Sequence, residues 1–261
     1  IDDRAGVKNP DPKNETFLSF EAGFQYRGLE RAVSADISVY HTTWKDRTRN
    51  QFVRNISGTG EDGLINILGL DARHYGVEAT LGYQPNELLR FDGALSIGNW
   101  KYLNDVSATY DPDGNSNTSE TFNLYIEGLK VGDAPQMQFA YAASFFPIDG
   151  MYLQLQGKTF AKHYADFNPF SRRSSDDRAQ SWQIPSYTLF DLHASYRLGD
   201  VLPSAGDVRL FVNALNLLDE LYVSDADDNG FGAFDDDHDA DDAAVYIGLP
   251  RTFNFGIQVS F

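Results

Sequence analysis

The chain contains no cysteine among its 261 residues. That excludes a disulfide framework, a thiolate metal site and a cysteine nucleophile. No run of about 18 apolar residues occurs, so no transmembrane helix is encoded. A membrane β-barrel stays open, because each of its strands needs only about 9–11 alternating residues. Basic residues are scarce: 21 Lys and Arg face 38 Asp and Glu, for a net charge of -17. This argues against nucleic acid as a partner, since phosphate binding needs clustered Lys and Arg. Gly-rich phosphate loops, Walker motifs and zinc spacings are missing. What is abundant is aromatic: 14 Tyr and 19 Phe, residue types that suit strands.

These aromatics fall into a period of two. From Arg251 to Phe261, one row is Phe253, Phe255, Ile257, Val259 and Phe261, and the other is Thr252, Asn254, Gly256, Gln258 and Ser260. Successive strand side chains point to opposite faces, so one face is apolar and the other polar or small. The pattern recurs at residues 16–26, 32–40, 75–83, 89–100, 137–146, 151–160, 187–198 and 208–214. Nine strands result, with formal charges on the polar rows. A soluble sandwich alternates in the same way, with its apolar rows in a core.

The connections separate the two readings. Counting back from the C-terminus, residues 218–250, 163–186, 101–136 and 42–73 are long, whereas 199–206, 147–150, 85–88 and 28–31 are short. Strict long–short alternation is the pattern of outer-membrane barrels, with short periplasmic turns and long extracellular loops. A tenth candidate, 121–128, would break the parity as a crossing, so it is expected as a β extension within a loop. The fold expected is all-β, an antiparallel transmembrane barrel with apolar rows toward lipid and polar rows toward the lumen.

Three motifs then become specific. Asn9-Pro10-Asp11-Pro12-Lys13-Asn14-Glu15 resembles the Asn-Pro-Asp-Leu-Lys-Pro-Glu stretch of TonB-dependent outer-membrane receptors, with Pro12 and Asn14 departing from it. Val212 to Tyr222 resembles their Val-x-Asn-Leu-Phe-Asp-x-x-Tyr signature. Gly248-Leu249-Pro250-Arg251-Thr252-Phe253 is similar to their closing Gly-x-Pro-Arg-x-Phe. Gly132 to Gln136 looks closest to receptors of the Bacteroidota type.

The resemblance implies about nine to ten C-terminal strands of a roughly 22-stranded barrel in the outer membrane of a Gram-negative bacterium. It implies a plug domain absent from residues 1–261, and hence a fragment of a longer polypeptide. Nine strands alone would leave two unpaired edges, which lipid cannot satisfy. The partners implied are the TonB complex, the protein's own N-terminal plug, outer-membrane lipid, the barrel assembly machinery acting on Phe261, and a nutrient ligand, either a small molecule or an oligomer. The function expected is energised import of a siderophore, vitamin, glycan or similar scarce ligand, with no enzymatic role. The alternatives are a passive porin or adhesin barrel, or a secreted all-β binding domain.

Within the last long loop, Asp225, Asp227 and Asn229 alternate before Gly230, with the Phe231 carbonyl and Asp236 at the next ligand positions of an EF-hand-like Ca²⁺ loop. Hard oxygens at that spacing can ring the cation while Gly permits the sharp turn. The other reading is a solvated acidic loop. The Arg172, Arg173 and Arg178 cluster reads either as an anion or lipopolysaccharide site or as a loop cross-linked by Arg–Asp pairs. Asp191, His193 and Ser195 share one strand face, where they cannot assemble nucleophile, base and orienter.

Overall fold

The computed structural model describes residues 13–56, 62–110, 120–198, 207–228 and 238–260. Phe261 lies outside them. Nine strands form a continuous antiparallel meander: β1 (Thr16–Gly28), β2 (Val33–Val53), β3 (Gly63–Tyr83), β4 (Leu89–Tyr102), β7 (Met137–Phe145), β8 (Met151–Ala161), β12 (Tyr187–Arg197), β13 (Asp207–Leu215) and β16 (Thr252–Ser260). These are the nine expected crossings. Two further strands, β5 (Val106–Tyr110) and β6 (Glu120–Leu124), extend β3 away from that path. The segment 121–128 is therefore in part a β extension in a loop, as expected.

The registers align the rows across the whole sheet. Gly28, Val33, Tyr83, Phe91, Ala143, Leu155, Leu192, Ala214 and Phe253 form one line through all nine strands. One residue over, Arg27, Ser34, Gly82, Asp92, Ala142, Gln156 and Asp191 form a polar or small line on the opposite face. Among the described residues no second sheet covers the apolar face: Phe255 and Ile257 remain 73% and 70% exposed. Leaving a Phe, Leu or Ile side chain in water forgoes about 1.5–3 kcal/mol. A contiguous face of this kind requires an apolar solvent, and the bilayer supplies it.

Strands β2 and β3 outrun the expected crossings because their alternation breaks. Trp44 pairs with Ala72 and Arg47 with Leu70, so β2 carries one extra residue, at the bulge containing Asp46 (φ 56°). Arg47 then pairs with Leu70 and Arg49 with Ile67, which puts the extra residue on β3 beside Gly69 (φ 75°). A Cβ at Gly69 would meet nothing within 4 Å, so glycine supplies the left-handed backbone there rather than room.

The two bulges swap the facing of the side chains. Leu70 and Ala72 are buried on the lumen side, and beyond Gly69 so are Ile65 and Ile67. They pack with Tyr102, Leu124, Ile126, Leu129, Phe167 and Phe170 into the main apolar core of the described residues. That core lies above the membrane crossings, in the long loops. We call this region the cap.

Candidate functional site

The lumen face is a wired polar surface. Asp36 accepts from Arg27 Nη2 at 3.2 Å and from Thr80 Oγ1 at 3.3 Å. Arg90 and Asp92, two positions apart on β4, pair at 2.7 Å. Lys158 Nζ donates to Asp191 Oδ2 at 2.8 Å, and the Asn216 backbone N–H donates to Asp191 Oδ1 at 2.9 Å. His193 bonds Asn213 at 2.8 Å, and Arg209 donates to Ser195 at 2.9 Å. Asp191, His193 and Ser195 thus each serve a different neighbour and form no triad. Higher up, Trp100 Nε1 donates to Tyr40 Oη at 2.8 Å, with the His74 ring 5.7 Å from Trp100. Tyr40 and Trp100 therefore line the lumen.

Above this wall, four short strands tie the cap together: β9 (His163–Tyr164), β10 (Asp166–Phe167), β11 (Gln183–Ile184) and β14 (Val223–Asp228), with β15 (Ala244–Ile247) on the flank of β14. β9 pairs β11, and β10 runs parallel to β14, joining loop 163–186 to loop 218–250. Arg172 closes the joint. Its guanidinium is fully buried and donates to Asp177 Oδ1 and the Ala179 carbonyl, each at 2.9 Å, and to Asp228 Oδ2 at 3.1 Å. His238 bonds Asp228 Oδ2 through Nδ1 at 2.6 Å and Asp177 through Nε2 at 3.1 Å, and its Nε2 also touches Arg172 Nη1. Burial works against the imidazolium, but the bonds and charges of Asp228 and Asp177 prevail, and the His238 pKa lies above its ordinary value.

The arginine cluster is thus a cross-link. Arg178 forms a bidentate pair with Asp105 at 2.7 and 2.8 Å, which holds that carboxyl below its usual range. The Arg173 guanidinium stacks over Phe170 at 4.9 Å.

The expected Ca²⁺ residues divide. Asp225 and Asp227 lie on β14, in an extended ribbon, with Tyr246 Oη donating to Asp227 Oδ2 at 3.1 Å. Asn229, Phe231 and Asp236 lie outside the described residues. Around the first two stand groups that sequence spacing could not connect. Asp166, opposite Asp227 in the register, accepts both Arg49 Nη groups at 3.2 and 2.8 Å. Burial, then the charges of Asp166, Asp225 and Asp227, pushes the Asp133 carboxyl up. His163 is buried, its Nε2 is 3.9 Å from Asp225 Oδ1, and burial holds its pKa down. Among the described residues, no three such groups converge as metal ligands.

The arrangement is a barrel wall with a polar lumen and a packed extracellular cap. It agrees with comparison to known proteins. Residues 2–217 match the sequence profile of the TonB dependent receptor-like β-barrel. No curated protein matches. Among solved structures, the chain is similar to the copper transporter OprC (18% identity, TM-score 0.61), covering 95% of this chain and 32% of that one. It is also similar to the ferric yersiniabactin uptake receptor FyuA from Yersinia pestis (15%, TM-score 0.59, 95% and 30% covered). The ferric enterobactin receptor PfeA from Pseudomonas aeruginosa aligns at 16% identity, TM-score 0.59, with 95% and 32% covered. The chain spans about a third of each. The nine-strand register, the uncovered apolar face and the profile match together identify this chain as a member of the TonB-dependent receptor β-barrel family, part of an outer-membrane barrel wall.

Proposed function

We propose that this chain is the C-terminal wall of an energised importer for a scarce ligand, such as a siderophore, vitamin or glycan. The observation that carries the reading is the ready-made lumen wall. Its ion pairs, such as Lys158–Asp191, and its Tyr40–Trp100 shelf offer a plug domain polar contacts at fixed heights. The names of the similar structures, a copper transporter and two receptors for ferric complexes, support uptake as the task. In this reading the wall performs no covalent chemistry. It holds the plug, and the cap presents the ligand. A periplasmic TonB segment then supplies the work that opens a path.

The test uses the full-length receptor containing this chain. In planar bilayers it gives no sustained current, because the plug closes the lumen, and the periplasmic domain of TonB binds it in calorimetry. A standing open-pore current with no TonB binding overturns the importer in favour of a passive porin.

A further inference from the structure

The outward rows carry no formal charge from the short turns upward through all nine strands, until Arg73 on β3 and Lys101 on β4. From Tyr83 to Arg73 is ten residues, or ~33 Å of strand. At a tilt of about 40° this spans the ~25 Å apolar band of an outer-membrane barrel. The two cations therefore emerge where the outer-leaflet headgroups begin.

They do not stand alone. Arg73 is the cross-strand partner of Lys101, and Lys101 is the bridge partner of Lys130. Three cations thus lie side by side, although like charges directly opposite destabilise a sheet. Lys162 adds a fourth: its carbonyl accepts the Gln136 N–H at 3.1 Å while Gln136 Nε2 donates to the Val131 carbonyl, next to Lys130, at 3.2 Å, and burial, then Lys162 and Lys101, pulls the Lys130 ammonium below its ordinary value. In a chain with 38 carboxylates, none of these four forms an ion pair among the described residues, whereas Arg27, Arg49, Arg90, Lys158, Arg172 and Arg178 all do. Asp71, two positions above Arg73, is occupied by the Asp46 N–H at 2.9 Å. Neutral groups preorganise the cations. Lys130 Nζ donates to Asn99 Oδ1 at 2.8 Å, Asn99 Nδ2 donates to Tyr75 Oη at 2.8 Å, and the Arg73 guanidinium lies 5.4 Å from the Tyr75 ring.

We propose that Arg73, Lys101, Lys130 and Lys162 form a binding site for the phosphorylated headgroup of an outer-leaflet glycolipid. A dianionic phosphate relieves the repulsion between the cations and accepts charge-assisted bonds from them. The acyl chains then lie along the apolar rows below. The site does not depend on the import reading.

The experiment is native mass spectrometry of the detergent-purified full-length receptor, incubated with a bisphosphorylated lipid A or with its dephosphorylated form. The bisphosphorylated lipid is expected to be retained and the dephosphorylated form lost. The triple variant Arg73→Gln, Lys101→Gln, Lys130→Gln is expected to lower retention by about tenfold or more, with Arg178→Gln unchanged as a control. Heat-modifiable migration verifies that the barrel has formed. If the triple variant does not fold, the single variants Lys101→Gln and Lys130→Gln are each expected to retain less lipid than wild type. Equal retention of the two lipids, or undiminished retention by the folded variants, overturns the proposal.

Discussion

Arg172 and Asp228, 56 positions apart, meet at 3.1 Å with neither side chain reached by solvent. A buried pair of this kind adds little over a well-packed apolar substitute, but removing one member leaves a buried charge uncompensated, at about 3–5 kcal/mol. Arg172→Met is therefore expected to release loops 163–186 and 218–250 while the barrel stays folded. Hydrogen exchange on the full-length receptor checks this: amide protection in the two loops should fall about 100-fold or more. Unchanged protection would mean that the apolar core alone holds the cap.

His238 makes that joint sensitive to pH. It faces Asp177 and Asp228, with Arg172 the opposing cation. Its folded pKa is raised, so the stability it contributes is fully present below the unfolded value of about 6.5 and is lost as pH rises through the folded pKa. Loop protection should therefore be greater at pH 5.5 than at pH 8.5. His238→Gln should flatten that difference, as read by exchange corrected for intrinsic rates.

The two faces of β8 should respond oppositely to the same substitution. Leu155 lies on the apolar row and Gln156 on the lumen row. Leu155→Arg is expected to cost about 2–4 kcal/mol in urea unfolding from liposomes. Gln156→Arg, beside Asp191, should cost less than about 1 kcal/mol. Equal costs would contradict the assignment of faces.

Gly132 sits where segment 129–136 crosses β10. A Cβ there would lie 2.7 Å from the Ala165 carbonyl oxygen and 2.7 Å from the Asp166 Cα and N. These are backbone atoms and cannot rotate away. Gly132→Ala is expected to displace β10 from β14 and destabilise the cap by about 1–3 kcal/mol. Limited proteolysis of the intact receptor should reveal new cleavage near 163–186.

Much of the wall could be read from the sequence, because a strand between lipid and lumen has only two environments and alternates between them. Leu153, Leu155 and Gln154, Gln156 announce β8 without reference to anything distant. The cap was not legible in this way. Ile65 and Ile67 alternate as cleanly as any crossing, yet the bulge at Gly69 turns them toward a core assembled from three loops. Arg172 displayed its acidic neighbours within its own loop, but Asp228 and His238 come from another. Asp133 and Asp166 joined Asp225 and Asp227 only through the parallel pairing of β10 with β14.

The left-handed turn at Gly69 has a consequence for how such a protein can change. Below it, β3 depends on hydrocarbon for its fit; above it, the same ribbon rests on side chains from its own chain. Substitutions that reshape the roof meet a protein interior rather than a lipid one, so the cap can be altered there while insertion into the bilayer is left intact.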